Sequence, residues 1–175
     1  MELPFFKYHP HPLATRAIVK SDLSCECCGE ARGYIYTASF YTAEQIDHIC
    51  PWCIASGEAA KKYQGSYVDD YPLLDANVPL EIVNEVCERT PGYHSWQQEI
   101  WQSHCGTACE FHGDAETAEL TQWQGEPLQQ FLDDEMMSIE RWHQLLSHYQ
   151  PGGNPAIYKF KCPSCGEVIY SMDYT

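Results

Sequence analysis

Two short stretches, SCECCG at 24–29 and CPWC at 50–53, hold the residues best suited to chemistry. Cys25 and Cys28 form one Cys-x-x-Cys pair, Cys50 and Cys53 a second, and 21 residues lie between Cys28 and Cys50. A Cys-x-x-Cys turn aims two sulfurs at one point, and tetrahedral zinc wants four soft donors, so the four thiols form a candidate zinc site. Gly29 lets backbone N–H groups approach the sulfurs, and the helix-compatible run after CPWC would present its N-terminus to thiolate charge. Cys27 is left over. It adjoins Cys28, cannot share the metal in a tight knuckle, and is expected to point away and pack as a small apolar side chain. A redox dithiol at CPWC would need a βαβ setting, which this stretch lacks.

A second knuckle, Cys162-Pro163-Ser164-Cys165-Gly166, stands near the C-terminus and needs two more donors. Cys105 and Cys109, in WQSHCGTACEFHG, are the expected suppliers. Ser95 and Gln98 read as a capping box that starts a helix through Trp101. If that helix continues past Gly106, thiols four apart share one face. His104 and His112 are alternative donors for a mixed site. Cys87, in PLEIVNEVCERT, shares an apolar helical face with Leu80 and Val83 and reads as a core thiol, with Pro79 as first helical residue.

The elements that must position these residues follow from local pattern. GYIYTASFY reads as a short hairpin, and IASGEAAKKY as a helix continuing from CPWC despite Gly57. Residues 66–78 carry Asp, Pro and Asn turn chemistry and read as a connecting loop. ETAELTQWQG, EPLQQFLDDEM and SIERWHQLLSHY predict short helices, the last with Ile139, Trp142, Leu145, Leu146 and Tyr149 on one side and ended by PGGNP. Strands flank the second knuckle at 158–162 and 168–170. His9 and His11, set among prolines, predict an extended arm. The expected fold class is α+β: a treble-clef zinc finger and a C-terminal zinc ribbon packed with short helices. The expected division is an arm and finger at 1–66 and a helical region closed by the ribbon at 67–175, or one compact unit.

Charge narrows the function. The formal net charge is −15, from 25 acidic and 10 basic side chains. Such a chain repels phosphate backbones and attracts basic partners, which argues against nucleic-acid binding. The start, MELPFFKYHPHP, lacks a secretory pattern, and no apolar run is long enough to span a membrane. The expected compartment is the cytoplasm, where thiols stay reduced and many cysteines mean metal rather than disulfides. His143 and His148, near Glu140, read as a solvated helix face rather than a catalytic pair. No G-x-S-x-G, H-E-x-x-H, glycine-rich phosphate loop or deaminase pattern is present.

LPFFKYHPHPLAT, CxCCGxxRGYIYT, CPWCIAxGxAAKK, WxxHCxxxC and YKFKCxxCG together resemble the CbrC family of bacterial proteins, from about residue 3 to residue 173. His11, Ser56, Glu58 and Thr107 depart from that pattern without touching an expected metal donor. The resemblance implies a link to tolerance of a DNase-type colicin and implies no reaction. The expected function is a non-enzymatic, zinc-stabilised acidic interaction protein with a protein partner, a basic nuclease toxin being the candidate. The alternatives are a nucleic-acid-binding or regulatory zinc-finger protein, and a zinc enzyme. An enzyme would need an open coordination position, whereas two sets of four thiolates would be closed.

Overall fold

The computed structural model describes residues 2–175 as short helices and small antiparallel sheets. Strand β1 (Ile18–Lys20) pairs with β2 (Tyr34–Tyr36) in the register Ile18↔Tyr36 and Lys20↔Tyr34. The expected hairpin within GYIYTASFY does not form. One edge of Tyr36 is taken by Ile18 and the other by a bridge to Ile49, so the chain beyond it has no free edge to fold back on. The first cysteine knuckle thus lies in the β1–β2 connection, and CPWC follows the bridge directly.

The helix after CPWC is two pieces, α1 (Pro51–Ala55) and α2 (Glu58–Tyr63). Gly57 separates them at φ +74°, a left-handed conformation that glycine adopts without steric cost. Residues 66–78, expected as loop, contain the single-turn helix α3 (Tyr71–Asp75). Pro72 fits its first turn, and the Asp69 carboxylate accepts the otherwise orphaned N–H of Tyr71 at 3.0 Å. In α4 (Leu80–Arg89), Val83, Val86 and Cys87 are buried, but Leu80 is 67% exposed and Pro79 stands just before the first turn. Cys87 is a core thiol.

No helix forms at 95–101. The backbone N–H groups of Trp96 and Gln97 donate to Asp173 Oδ2, and that of Ile100 donates to the Tyr93 hydroxyl. Side-chain acceptors, one of them 77 residues away, thus outcompete local helical bonds. A hairpin follows, β3 (Ser103–His104) with β4 (Thr107–Ala108). Its two turn residues, Cys105 and Gly106, have φ of +52° and +69°, the pattern of a tight I′-type turn.

The C-terminal sheet is antiparallel in the order β5-β6-β7: β5 (Glu110–Asp114), β6 (Ala156–Lys161) and β7 (Val168–Asp173). Phe160 on the central strand pairs with Phe111 and Ile169. Between β5 and β6 the chain forms α5 (Thr117–Gln122), α6 (Glu126–Asp134) and α7 (Ile139–Leu146). Leu120, Phe131, Leu132, Trp142, Tyr149 and Ile157 make their shared core. On α7 itself only Trp142 is buried, and Ile139 is exposed. Tyr93 stacks on Phe111 at 4.2 Å, beside Trp101, Tyr158 and Phe160, in a second, largely aromatic core.

The N-terminal segment is not an extended arm. Phe6, Tyr8 and His9 are buried, and the Tyr8 carbonyl accepts the N–H of Phe111 at 2.7 Å. His9 lies edge-on to Phe111, with Nδ1 2.9 Å from the Pro91 carbonyl and Nε2 2.7 Å from Thr15 Oγ1. Burial, with His11 and His112 adding minor positive charge, lowers its pKa to about 4, so it is neutral at pH 7.

Candidate metal centres

The first centre is assembled from a knuckle and a helix start. Cys25 N–H donates to the Glu30 carbonyl at 2.9 Å, and Gly29 N–H returns to the Cys25 carbonyl at 2.7 Å, with Gly29 at φ +78°. Cys50 caps α1, Pro51 fills the first helical position, and Cys53 lies one turn on. The Cys50 N–H points at Cys25 Sγ, 3.2 Å away. The sulfurs of Cys25, Cys28, Cys50 and Cys53 all lie within 4.8 Å of one another. Cys28 and Cys50 are 3.9 Å apart. A disulfide would need about 2.05 Å. A zinc tetrahedron with bonds of about 2.3 Å has sulfur–sulfur edges of about 3.8 Å.

The thiols of this cluster oppose one another electrostatically. A hydrogen bond from Cys50 holds Cys25 down at about 4, while Cys50, for the same reason, and Cys53, through burial, are pushed well up. One anionic sulfur is tolerated, and further ionisation needs a cation. Cys27 lies outside the group, partly buried against the surrounding core. Its thiol lies beside Cys53 rather than clear of it, and burial raises its pKa. Lys62 Nζ clamps this turn to α2 by donating to the carbonyls of Glu26 and Cys27 at 3.0 and 2.9 Å.

The second centre repeats the knuckle. Cys162 N–H donates to the Glu167 carbonyl at 2.8 Å, Gly166 N–H to the Cys162 carbonyl at 2.9 Å, and Gly166 has φ +80°. This turn joins β6 to β7 and meets the β3–β4 turn. His104 Nδ1 lies 3.3 Å from Cys105 Sγ and 3.3 Å from Cys165 Sγ. His104, Cys105, Cys162 and Cys165 form the second group of donors within 4.8 Å.

Cys109, expected as a donor, is not in that group. The helix that would have aligned it with Cys105 is replaced by a hairpin, and Cys109 enters the aromatic core with its thiol beside Cys162. Trp101 Nε1 donates to its carbonyl at 2.8 Å, and burial pushes its thiol up to about 12. The fourth potential donor grouped with Cys105, Cys162 and Cys165 is His104, one of the two alternative histidines. The other, His112, pairs with Glu110 at 3.1 Å. The readable signal was Cys-Gly between residues able to pair, a two-residue hairpin turn.

The two centres differ in access. Cys25, Cys50 and Cys53 are buried, whereas His104, Cys105 and Cys165 are exposed and only Cys162 is buried. Burial raises the pKa of Cys162, but N–H groups of its own knuckle and the side chains of His104 and Cys165 outweigh this and bring it to about 6; sharing a proton with Cys165 raises Cys105 to about 11. On α7, His148 contacts Ser147 and Gln144 rather than a carboxylate.

A family profile described as an uncharacterised protein family, UPF0167, matches residues 3–174. The chain is 52% identical over 175 residues to a UPF0167 protein of Pseudomonas aeruginosa, an alignment covering 99% of this chain and 98% of that protein. UPF0167 proteins of Mycobacterium bovis and Mycobacterium tuberculosis are 32% identical over 190 residues, covering 99% of this chain and 94% of each. No solved structure matches.

Proposed function

The chain belongs to the UPF0167 family, and from that premise we propose that it is a non-enzymatic interaction protein whose fold is riveted by two structural zinc ions. The observation that carries this reading is the pair of complete donor sets, Cys25/Cys28/Cys50/Cys53 and His104/Cys105/Cys162/Cys165. Soft thiolates with at most one imidazole favour zinc over hard cations, and four protein donors leave no position for a substrate or water. On this reading the knuckle facing the start of α1 is a treble-clef finger, and the two facing hairpin turns are a zinc ribbon. The metal joins segments far apart in the chain. In small metal domains such binding is folding energy, on the order of 10 kcal/mol.

The charge of −15 supplies the second half of the proposal, an acidic surface presented to a basic protein in the reducing cytosol. The motif resemblance to the CbrC family, with its colicin link, makes a basic nuclease toxin the partner to test. Purified protein should carry two zinc equivalents and should capture a DNase domain at low ionic strength, releasing it at high. Absence of a salt-sensitive complex at low ionic strength removes the toxin partner, and absence of bound zinc removes the scaffold. A zinc enzyme is the second reading, favoured by the exposure of three donors at the second centre. Cobalt substitution separates the two, since a closed S₃N site gives a four-coordinate spectrum unchanged by added anions and an open one does not.

A further inference from the structure

The sheet β5-β6-β7 ends differently on its two sides. At β5 the Phe111 N–H donates to the Tyr8 carbonyl, so the N-terminal segment covers that edge. Beyond β7 there is no further strand. The Cys162 N–H donates to the Glu167 carbonyl, which makes these two a hydrogen-bonded pair. Such pairs alternate along an antiparallel ladder, so Ile169 and Ser171 bond to β6, while Val168, Tyr170 and Met172 aim their N–H and C=O groups away from it. Among the described residues nothing bonds to that outward row. The next outward carbonyl, that of Tyr174, takes the side-chain amide of Gln97 at 2.6 Å.

A row of unpaired backbone groups is a template for another strand, and proteins guard such edges with lysine, proline or a bulge. β7, VIYSMD, carries no lysine or proline, and its register with β6 runs unbroken from Val168 to Asp173. Paired residues share a face, so Tyr158 and Ser171 look to one side of the sheet, Ile157 and Met172 to the other. A hollow of about 270 Å³ with Tyr158, Ser171, Gln98 and Ile100 in its wall lies on the first side. One of about 370 Å³ with Met137, Leu145 and Met172 lies on the second, and Glu135 and Tyr174 line both. Alternate side chains of an added strand would meet these hollows in turn, the arrangement that gives strand addition its specificity. Ile100 and Tyr174 are half exposed and Met136 is 93% exposed, which leaves an apolar rim around the open edge.

Charge selects the occupant. A second copy pairing β7 with β7 would bring together two chains of net charge −15. The hollows set Glu135 and Asp173 against one cation, Arg141, and Glu167 directly precedes the strand. We propose that β7 accepts a basic, extended protein segment as the fourth strand of this sheet. This rests on the reading of the chain as an acidic interaction protein and names the surface its partner meets. The test is titration of the full-length, metal-loaded protein at low ionic strength with the peptide acetyl-KVKVKVK-amide. The controls are the same peptide N-methylated at every internal residue, which keeps the charge and loses the backbone donors, and acetyl-EVEVEVE-amide. Saturable one-to-one binding of the first peptide is expected, weakened at least about tenfold by N-methylation. Met172→Pro removes an outward N–H without touching the ladder and should cost a similar factor. Hydrogen exchange in the wild-type protein should slow on binding at Val168, Tyr170 and Met172 and stay unchanged at Ile169 and Ser171, a reading that survives if the variant fails to fold. Equal binding of the N-methylated peptide would overturn the proposal and leave the acidic-surface reading standing, whereas no binding of either basic peptide would remove both. Equal binding of the acidic peptide, or protection of the outward amides by self-association of the free protein, would overturn it too.

Discussion

The Nδ1 atom of His104 lies 3.3 Å from the sulfur of Cys165, although 61 positions separate the two residues. That contact joins the β3–β4 turn to the β6–β7 turn, while Cys109, expected as a donor, is buried in the core with its thiol beside Cys162. It also makes the ligand assignment directly testable.

Metal content should follow the two groups. Cys25→Ser and Cys105→Ser should each lose one zinc equivalent, and His104→Ala should lose the same equivalent as Cys105→Ser. Cys109→Ser, Cys27→Ser and Cys87→Ser should retain both. Plasma mass spectrometry of the six purified variants decides it. Loss of metal from Cys109→Ser with retention in His104→Ala would reverse the assignment.

Chelation should be biphasic. Three donors of the second centre are exposed, while three of the first are buried, so a chelator should strip one equivalent quickly and the other only as the protein opens. Release into a colorimetric chelator, followed with far-ultraviolet circular dichroism, should show the slow phase coinciding with loss of helix. The melting temperature should fall sharply once both ions are gone, since structural zinc supplies on the order of 10 kcal/mol. A single fast phase with the fold intact would argue against a structural role.

His9 gives the folded state a pH dependence of definite sign. Its folded pKa, about 4, lies below the ordinary histidine value of 6.5. Between these values the unfolded chain binds a proton that the folded chain refuses, so stability falls as pH drops from about 6.5 towards 4. The full effect is about 3 kcal/mol. Thiol protonation also releases metal on acidification, so the informative quantity is the difference between wild type and His9→Gln. That difference should be largest near pH 7 and shrink on acidification. A constant difference would mean that His9 titrates normally in the fold.

Two glycines should respond differently to alanine. A Cβ at Gly92 would stand 2.4 Å from the Tyr67 carbonyl oxygen and 2.8 Å from the Tyr36 hydroxyl, so Gly92→Ala must displace backbone. A cost of about 1–3 kcal/mol, typical of overpacking, is expected in chemical denaturation. Gly29→Ala meets no neighbour within 4 Å and should cost only the left-handed backbone penalty, about 1–2 kcal/mol, with the first zinc retained.

Local chemistry was legible wherever a short segment supplied its own reasons. The knuckles at Cys25–Gly29 and Cys162–Gly166, the pairing of the first with Cys50 and Cys53, the α4 to α7 helices and the buried Cys87 all follow from spacing and periodicity. Segments whose backbone bonds are met from elsewhere were misread. Residues 95–101 have a capping box, yet their N–H groups go to Asp173 and Tyr93. Tyr36 has the composition of a hairpin strand, yet both of its edges are taken by Ile18 and Ile49.

By itself, then, the sequence determined which thiols come in pairs, because a Cys-x-x-Cys turn followed by glycine closes within six residues through its own hydrogen bonds. Only the tertiary structure decided that His104 rather than Cys109 groups with Cys105, Cys162 and Cys165, and that His9 is a core residue. Those outcomes depend on which of several local preferences, a capping box or a Cys-Gly turn, survives once the aromatic core and distant carboxylates compete for the same backbone groups.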